Sequence, residues 1–333
     1  MVEPTSKATE VFAAPLRLSL ISTADASSAY PVALGTRGRG VRAPAAKGWA
    51  GVYADLFKAR LTFLVLLTTL VGFYVGFRGP VDYVLLLHTL LGTAMVASGA
   101  SALNQLWERK YDAKMRRTQD RPLPSGRLQP GTVLAVGVSL ALLGLIYLGL
   151  WVNPATCLLG AGSLLAYLFI YTPLKRVTWL NTAVGAVPGA LPPLMGWAAA
   201  RGSWSDAGWV LFAIQALWQV PHFLAIAWMY RDEYARAGFQ MLPVIDPAGE
   251  RTSRQAVLFT VGLLPVSLCP FLFHLAGGIY LAGAVALGVA FIWCAVQFSR
   301  SRTIPRARQL FYLSLLYLPV LFGLMAMDKI KLT

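Results

Sequence analysis

Residues 83–112 read YVLLLHTLLGTAMVASGASALNQLWERKYD. The stretch 83–103 carries no acidic or basic residue apart from His88. At about 1.5 Å of rise per helical residue it can cross a hydrocarbon core of about 30 Å. Beyond it the character changes at once: Asn104, Glu108 and Asp112 recur at i, i+4 and i+8, a spacing that stacks side chains on one helix face. A membrane span that runs straight into an acidic stripe sets the fold class and points to where the chemistry sits.

Apolar runs of similar length recur at 61–77, 132–151, 155–172, 179–200, 208–230, 256–274, 277–299 and 310–327, giving nine expected spans in all. Composition agrees, with 57% hydrophobic and 13% charged residues, where soluble domains carry about 25% charged residues. The runs are continuously apolar and lack the alternation of barrel strands, so an all-α integral membrane fold is expected. Residues 1–50, rich in Ser, Ala, Thr, Gly and Pro, read as a disordered or weakly structured tail, and 51–333 as the membrane domain. The stretch 12–21 is too short and interrupted for a secretory signal, while Glu3, Glu10 and Asp25 weaken a transit-peptide reading.

With the N-terminus inside, every Lys and Arg except Arg78, Arg201, Lys329 and Lys331 falls on the inner side. The positive-inside rule then orients the chain N-in and C-out. The net charge of +15 reads as topology and attraction to anionic headgroups of the lipid bilayer, and nucleic acid is not an expected partner. The expected inner ends of spans 2 and 6 (103 and 230) have the same separation as those of spans 4 and 8 (172 and 299), which suggests two parallel four-helix halves with a ninth helix appended. Cys157, Cys269 and Cys294 lie inside spans without metal-type spacing and read as packing residues.

The Asn104–Asp112 stripe would be about 12 Å long, too long for both ends to ligate one Mg²⁺ at about 2.1 Å. It better suits a diphosphate bridged by Mg²⁺, with Lys114, Arg116, Arg117 and Arg121 placed to meet the remaining phosphate oxygens. A second cluster runs Trp218-Gln-Val-Pro221-His222-Phe223 and on to Tyr230, Asp232 and Glu233. On a continuous helix Trp218, His222 and Glu233 would lie within about 60° of one face, with Pro221 expected to kink it. A third joins Tyr171 and Lys175 around Pro173, which argues against helical alignment of the two. Lys175 reads equally as a phosphate partner or as a snorkelling lysine.

At these residues the chain resembles heme O synthases (protoheme IX farnesyltransferases), a branch of the UbiA-type intramembrane prenyltransferases. The matching stretches are NQLWERKYDAKMRRTQDRPLPSGR, YTPLKRVTWLNTAVGAVPGALPPLMGW and WQVPHFLAIAWMYRDEYARAGFQMLPV, with LTFLVLLTT in span 1. The resemblance implies nine helices around a central cavity and Mg²⁺-dependent transfer of farnesyl from farnesyl diphosphate to the 2-vinyl group of heme b, giving heme O. It implies Asn104, Glu108 and Asp112 as the metal–diphosphate site, and Arg116, Arg117, Arg121 and Lys175 as diphosphate partners. The superfamily's second motif has two Asp four residues apart; here the acids are the adjacent Asp232 and Glu233, which puts a second metal in doubt.

Ionising an allylic diphosphate needs charge neutralisation on the leaving group, exclusion of water and stabilisation of a carbocation. Tyr171, Trp218 and Tyr230 are candidate aromatic faces for that cation, or interfacial packing residues. His222 is a candidate axial ligand to heme iron, against a hydrogen-bonded packing role. His88 and His274, near outer span ends, read as structural. The weakened transit-peptide reading of the N-terminal residues favours a bacterial inner membrane, with the mitochondrial inner membrane as alternative, and a downstream heme A synthase or oxidase-assembly proteins are candidate partners. Rival readings are prenyl transfer to an aromatic acid in quinone synthesis, a transporter, and a non-catalytic heme-handling assembly factor.

Overall fold

The computed structural model of the chain describes residues 48–330. The expected N-terminal tail thus lies outside the described residues up to 47, and Trp49 already belongs to a helix. The elements are α1 (Trp49–Leu56), α2 (Ala59–Gly76), α3 (Tyr83–Asp112), α4 (Pro130–Trp151) and α5 (Pro154–Leu165). A π-helical turn (Ala166–Tyr171) and α6 (Thr172–Leu174) continue α5. Then come α7 (Asn181–Arg201), α8 (Asp206–Met229), α9 (Arg231–Ala237), α10 (Leu242–Ile245), α11 (Glu250–Leu272), α12 (Gly278–Ser301) and α13 (Ile304–Met327). Among the described residues nine helices are long and apolar enough to cross a bilayer, with α5 to α6 counted as one.

Local chemistry sets several helix ends. The Asp82 carboxylate accepts from the Leu85 amide at 2.9 Å, and Asn153 caps α5 by accepting from the Thr156 amide at 2.8 Å. Proline opens α4 and α5, where a missing N–H leaves nothing unsatisfied. Gly202 and Gly238 stop α7 and α9 in the left-handed region, at φ of 75° and 80°.

Two helices form the interior. The spans of α7 and α8 are 67% and 61% buried, against 17–39% for the other seven. The outer helices leave Leu, Val and Phe facing outward, which carries no penalty where the solvent is itself hydrocarbon. α2 packs on α7 by backbone contact: a Cβ on Gly72 would overlap the Pro193 carbonyl, and one on Gly196 the Thr69 carbonyl. Small residues on both helices permit that approach. α2 to α5 are consecutive neighbours, as are α7, α8, α11 and α12, and α2 meets α7. Buried hydroxyls in the second half are paired, with Tyr280 donating to the Ser267 carbonyl at 2.7 Å and the Ser267 and Tyr317 hydroxyls 2.8 Å apart.

Span 2 continues as α3 to Asp112, so Asn104, Glu108 and Asp112 share one helix as their spacing predicts, and the helix runs past the expected end of the span at 103. Two expectations change. Lys175 does align with Tyr171: its amide bonds to the Tyr171 carbonyl at 3.3 Å, because Pro173 sits in the first turn of α6 and the π-helical turn before it absorbs the register change. Conversely, the face shared by Trp218, His222 and Glu233 does not exist. α8 ends at Met229, Tyr230 leaves the helix at φ −114° and ψ 20°, and Glu233 lies on α9.

Candidate active site

Where α3 ends, Asn104, Glu108 and Asp112 are 1%, 5% and 1% exposed. They do not face bulk water like an ordinary charged helix end; they line a chamber of about 90 Å³. Lys58, Arg117, Arg121, Tyr171, Lys175 and Tyr234 share its walls, with Met115, Thr118, Phe239 and Met241 closing it.

Each acid is already neutralised. Lys175 Nζ donates to Glu108 Oε1 at 2.9 Å, and Arg121 Nη1 to Asp112 Oδ2 at 2.7 Å. Lys175 is therefore not snorkelling: its side chain is only 12% exposed, and its ammonium lies 4.5 Å from the Tyr171 ring centroid. Burial works against the Lys175 charge, but Tyr171, Glu108 and Tyr167 outweigh it and raise its pKa above the ordinary lysine value.

Asn104 is oriented on both sides. Its Oδ1 accepts from Lys58 Nζ at 3.0 Å, and its Nδ2 donates to Thr172 Oγ1 at 3.1 Å. Thr172 in turn donates to the Tyr167 carbonyl at 2.8 Å, a group in the π-helical turn. The irregular turn thus supplies the acceptor that fixes the amide, in keeping with the frequent placement of such turns at functional sites.

Sequence reasoning missed Lys58. This residue adopts the left-handed conformation (φ 49°) between α1 and α2, which turns its side chain into the chamber. Gln105 holds the break, its Nε2 donating to the carbonyls of Asp55 at 2.9 Å and Leu56 at 2.8 Å. Burial pulls the Lys58 ammonium down to about 7, and Arg121 and Lys175 push the same way against Glu108 and Asp112. A lysine forced toward neutrality among cations is one that an incoming anion would re-charge. Position alone gave no signal for it, because it precedes a span like many topology-setting lysines.

The remaining expected residues divide. Arg117 reaches the chamber while its guanidinium lies 5.2 and 5.3 Å from the Tyr230 and Tyr234 rings and donates to the Tyr234 hydroxyl at 2.9 Å. Tyr230 therefore stands behind Arg117 and outside the chamber lining. Arg116 is exposed and does not line the chamber. Of the adjacent acids, Glu233 Oε2 accepts from the Arg117 amide at 3.4 Å, whereas the Asp232 side chain is 87% exposed and its nearest cation, Arg231, is 3.9 Å away. Trp218 and His222 lie apart, packed on α13. His88 pairs with the Tyr147 hydroxyl at 2.6 Å on α4, the structural role expected of it.

The donor set is not a metal cage on its own. No cluster of three or more His, Cys, Asp or Glu able to hold an ion occurs among the described residues. Two carboxylates and an amide suit Mg²⁺ when substrate phosphates complete its shell, and Lys58, Arg117, Arg121 and Lys175 outnumber the two acids, as an anionic substrate requires.

Residues 65–318 match the UbiA prenyltransferase family. The chain is 49% identical over 286 residues to the protoheme IX farnesyltransferase of Solibacter usitatus, covering 83% of this chain and 98% of that one. A solved structure concerning digeranylgeranylglyceryl phosphate synthase superposes with a TM-score of 0.73 at 16% identity, covering 85% of this chain and 99% of its own. A UbiA homologue from Archaeoglobus fulgidus bound to DMAPP and Mg²⁺ superposes at 0.61 and 17% identity, covering 82% and 99%. The nine-span bundle, the chamber at the end of α3 and these matches together establish that the chain belongs to the UbiA prenyltransferase family.

Proposed function

We propose that the chain transfers the farnesyl group of farnesyl diphosphate to the 2-vinyl group of heme b, with Mg²⁺, giving heme O. The observation that carries the reading is the chamber at the end of α3, where two buried acids and four cations meet at the mouth of an apolar bundle. The choice of heme as acceptor rests on the farnesyltransferase relatives.

Asn104, Glu108 and Asp112 would hold Mg²⁺, which neutralises charge on the leaving diphosphate when bound. Substrate entry exchanges partners: Lys175 and Arg121 turn from Glu108 and Asp112 to phosphate oxygens, and Lys58 joins them. The C1–O bond of the allylic diphosphate then breaks, with the electron pair leaving on the diphosphate. The vinyl π pair forms the new C–C bond to C1, and the cation left beside the porphyrin takes a hydroxyl from water, which gives up a proton. The Tyr171 face, which holds the Lys175 ammonium in the free protein, is free to stabilise the allylic cation once that lysine moves, an interaction of about 2 kcal/mol when desolvated. Phe239 and Met241 keep bulk water out of the chamber.

The excess of Lys and Arg in the inner segments supports an orientation with the N-terminus and this chamber on the inner side and the C-terminus outside, and the membrane in this reading is a bacterial inner membrane. Purified protein incubated with heme b, farnesyl diphosphate and Mg²⁺ should yield a pigment heavier by one farnesyl and one hydroxyl unit, by mass analysis. An unchanged pigment, or prenylation of an aromatic acid in its place, would refute the assignment.

A further inference from the structure

His222, on α8, sits 4.9 Å from the Trp218 ring and 5.1 Å from the Phe311 ring, with Phe223 edge-on at 5.5 Å. Its Nδ1 lies 2.7 Å from Ser314 Oγ on α13. Ser314 has one hydroxyl proton, and it is used: Oγ donates to the Phe311 carbonyl at 2.6 Å. The serine must therefore accept from His222, so Nδ1 carries the proton and Nε2 keeps its lone pair. Trp218 Nε1 donates to the Ser314 carbonyl at 2.8 Å and ties the same turn of α13 to α8.

Nε2 has no hydrogen-bond partner among the described residues, and it is not one of their sealed, unpartnered polar atoms. It is thus unprotonated and not fully enclosed, on a side chain that is half-buried. An imidazole clamped by rings, with its other nitrogen donating to a fixed acceptor, has the arrangement that orients metal-bound histidines. A packing histidine would satisfy both nitrogens or bury the second. His222 lies seven residues, about 10 Å, before the end of α8 at Met229, and Tyr230, which backs the chamber's Arg117, follows directly; the gap is on the order of the porphyrin itself.

We propose that His222 Nε2 is the axial ligand to the iron of the heme substrate, and that Ser314 is the positioning residue that fixes the ligating tautomer. The proposal rests on heme being the acceptor. The iron anchors the macrocycle on α8 and α13, and the vinyl edge is directed toward the chamber.

The test titrates heme b into the purified full-length protein in lipid nanodiscs and follows the optical spectrum, with iron-free protoporphyrin IX as the probe of porphyrin binding without ligation. Wild type should show a nitrogen-ligated iron spectrum. His222→Ala should lose it and regain it with added imidazole, while iron-free protoporphyrin binds both proteins alike. Ser314→Ala should weaken heme binding about tenfold, as loss of an outer-shell partner does, without changing protoporphyrin binding, and Ser314→Thr, which keeps the hydroxyl, should restore it. An unchanged heme spectrum in His222→Ala overturns the proposal, as does equal weakening of heme and protoporphyrin in Ser314→Ala. If His222→Ala fails to fold, the Ser314 pair decides by the same criterion. A nitrogen-ligated spectrum lost in His222→Ala without any farnesylated product in wild type would remove the proposed reaction and leave the ligation standing.

Discussion

Replacing Asp112 by Asn keeps the side chain's shape and removes its charge. The carboxylate is 1% exposed, and Arg121 donates to it at 2.7 Å. Asn retains an oxygen for that hydrogen bond, so the structural loss is the difference between a charge-assisted and a neutral bond, about 1–2 kcal/mol. It stays well below the about 3–5 kcal/mol of an abandoned buried charge, because Arg121 is partly exposed. The catalytic loss is larger. With Asp112 gone, one of two carboxylates able to hold Mg²⁺ against the diphosphate is missing, and losing one preorganised stabiliser of transition-state charge typically lowers kcat about 10²- to 10³-fold. Asp112→Asn should therefore express, fold and melt near wild type while heme O formation falls by two to three orders of magnitude (roughly, on that scale). The assay is pigment mass analysis over time at saturating farnesyl diphosphate and Mg²⁺, with thermal unfolding in parallel. A rate within about tenfold of wild type would refute the assignment of Asp112 to diphosphate activation.

Lys58→Met should raise KM for farnesyl diphosphate by about 10- to 100-fold, the worth of a charged hydrogen bond, without lowering thermal stability, since desolvation and the charges of Arg121 and Lys175 already disfavour its ammonium; a lower melting temperature with unchanged KM would count against its role. Of the two neighbouring acids, Glu233→Gln should slow turnover, because Glu233 bonds the Arg117 amide, while Asp232→Asn should leave the rate of pigment formation unchanged, because its side chain is 87% exposed. Gly72→Val should abolish stable folding in detergent, because its side chain would enter the Pro193 carbonyl; size-exclusion chromatography reporting a monodisperse wild-type profile would contradict the packing of α2 on α7.

The fold class was legible because a bilayer imposes it: twenty or so apolar residues with no water to satisfy their backbone must be helical, and the alternation of basic loops follows from one rule. The stripe was legible too, since Asn104, Glu108 and Asp112 share one helix and a helix's periodicity is local. What lay beyond a single helix was not. That Glu108 pairs with Lys175 and Asp112 with Arg121, that Lys58 enters the chamber through a left-handed residue held by Gln105, and that α8 breaks at Tyr230 and carries Glu233 off the face of His222 depend on which segments meet in space. Periodicity assigns a side chain to a face. Only packing between distant helices decides what that face meets, because the contacts that fix charge, tautomer and access come from residues such as Thr172 and Ser314, far from Asn104 and His222 along the chain.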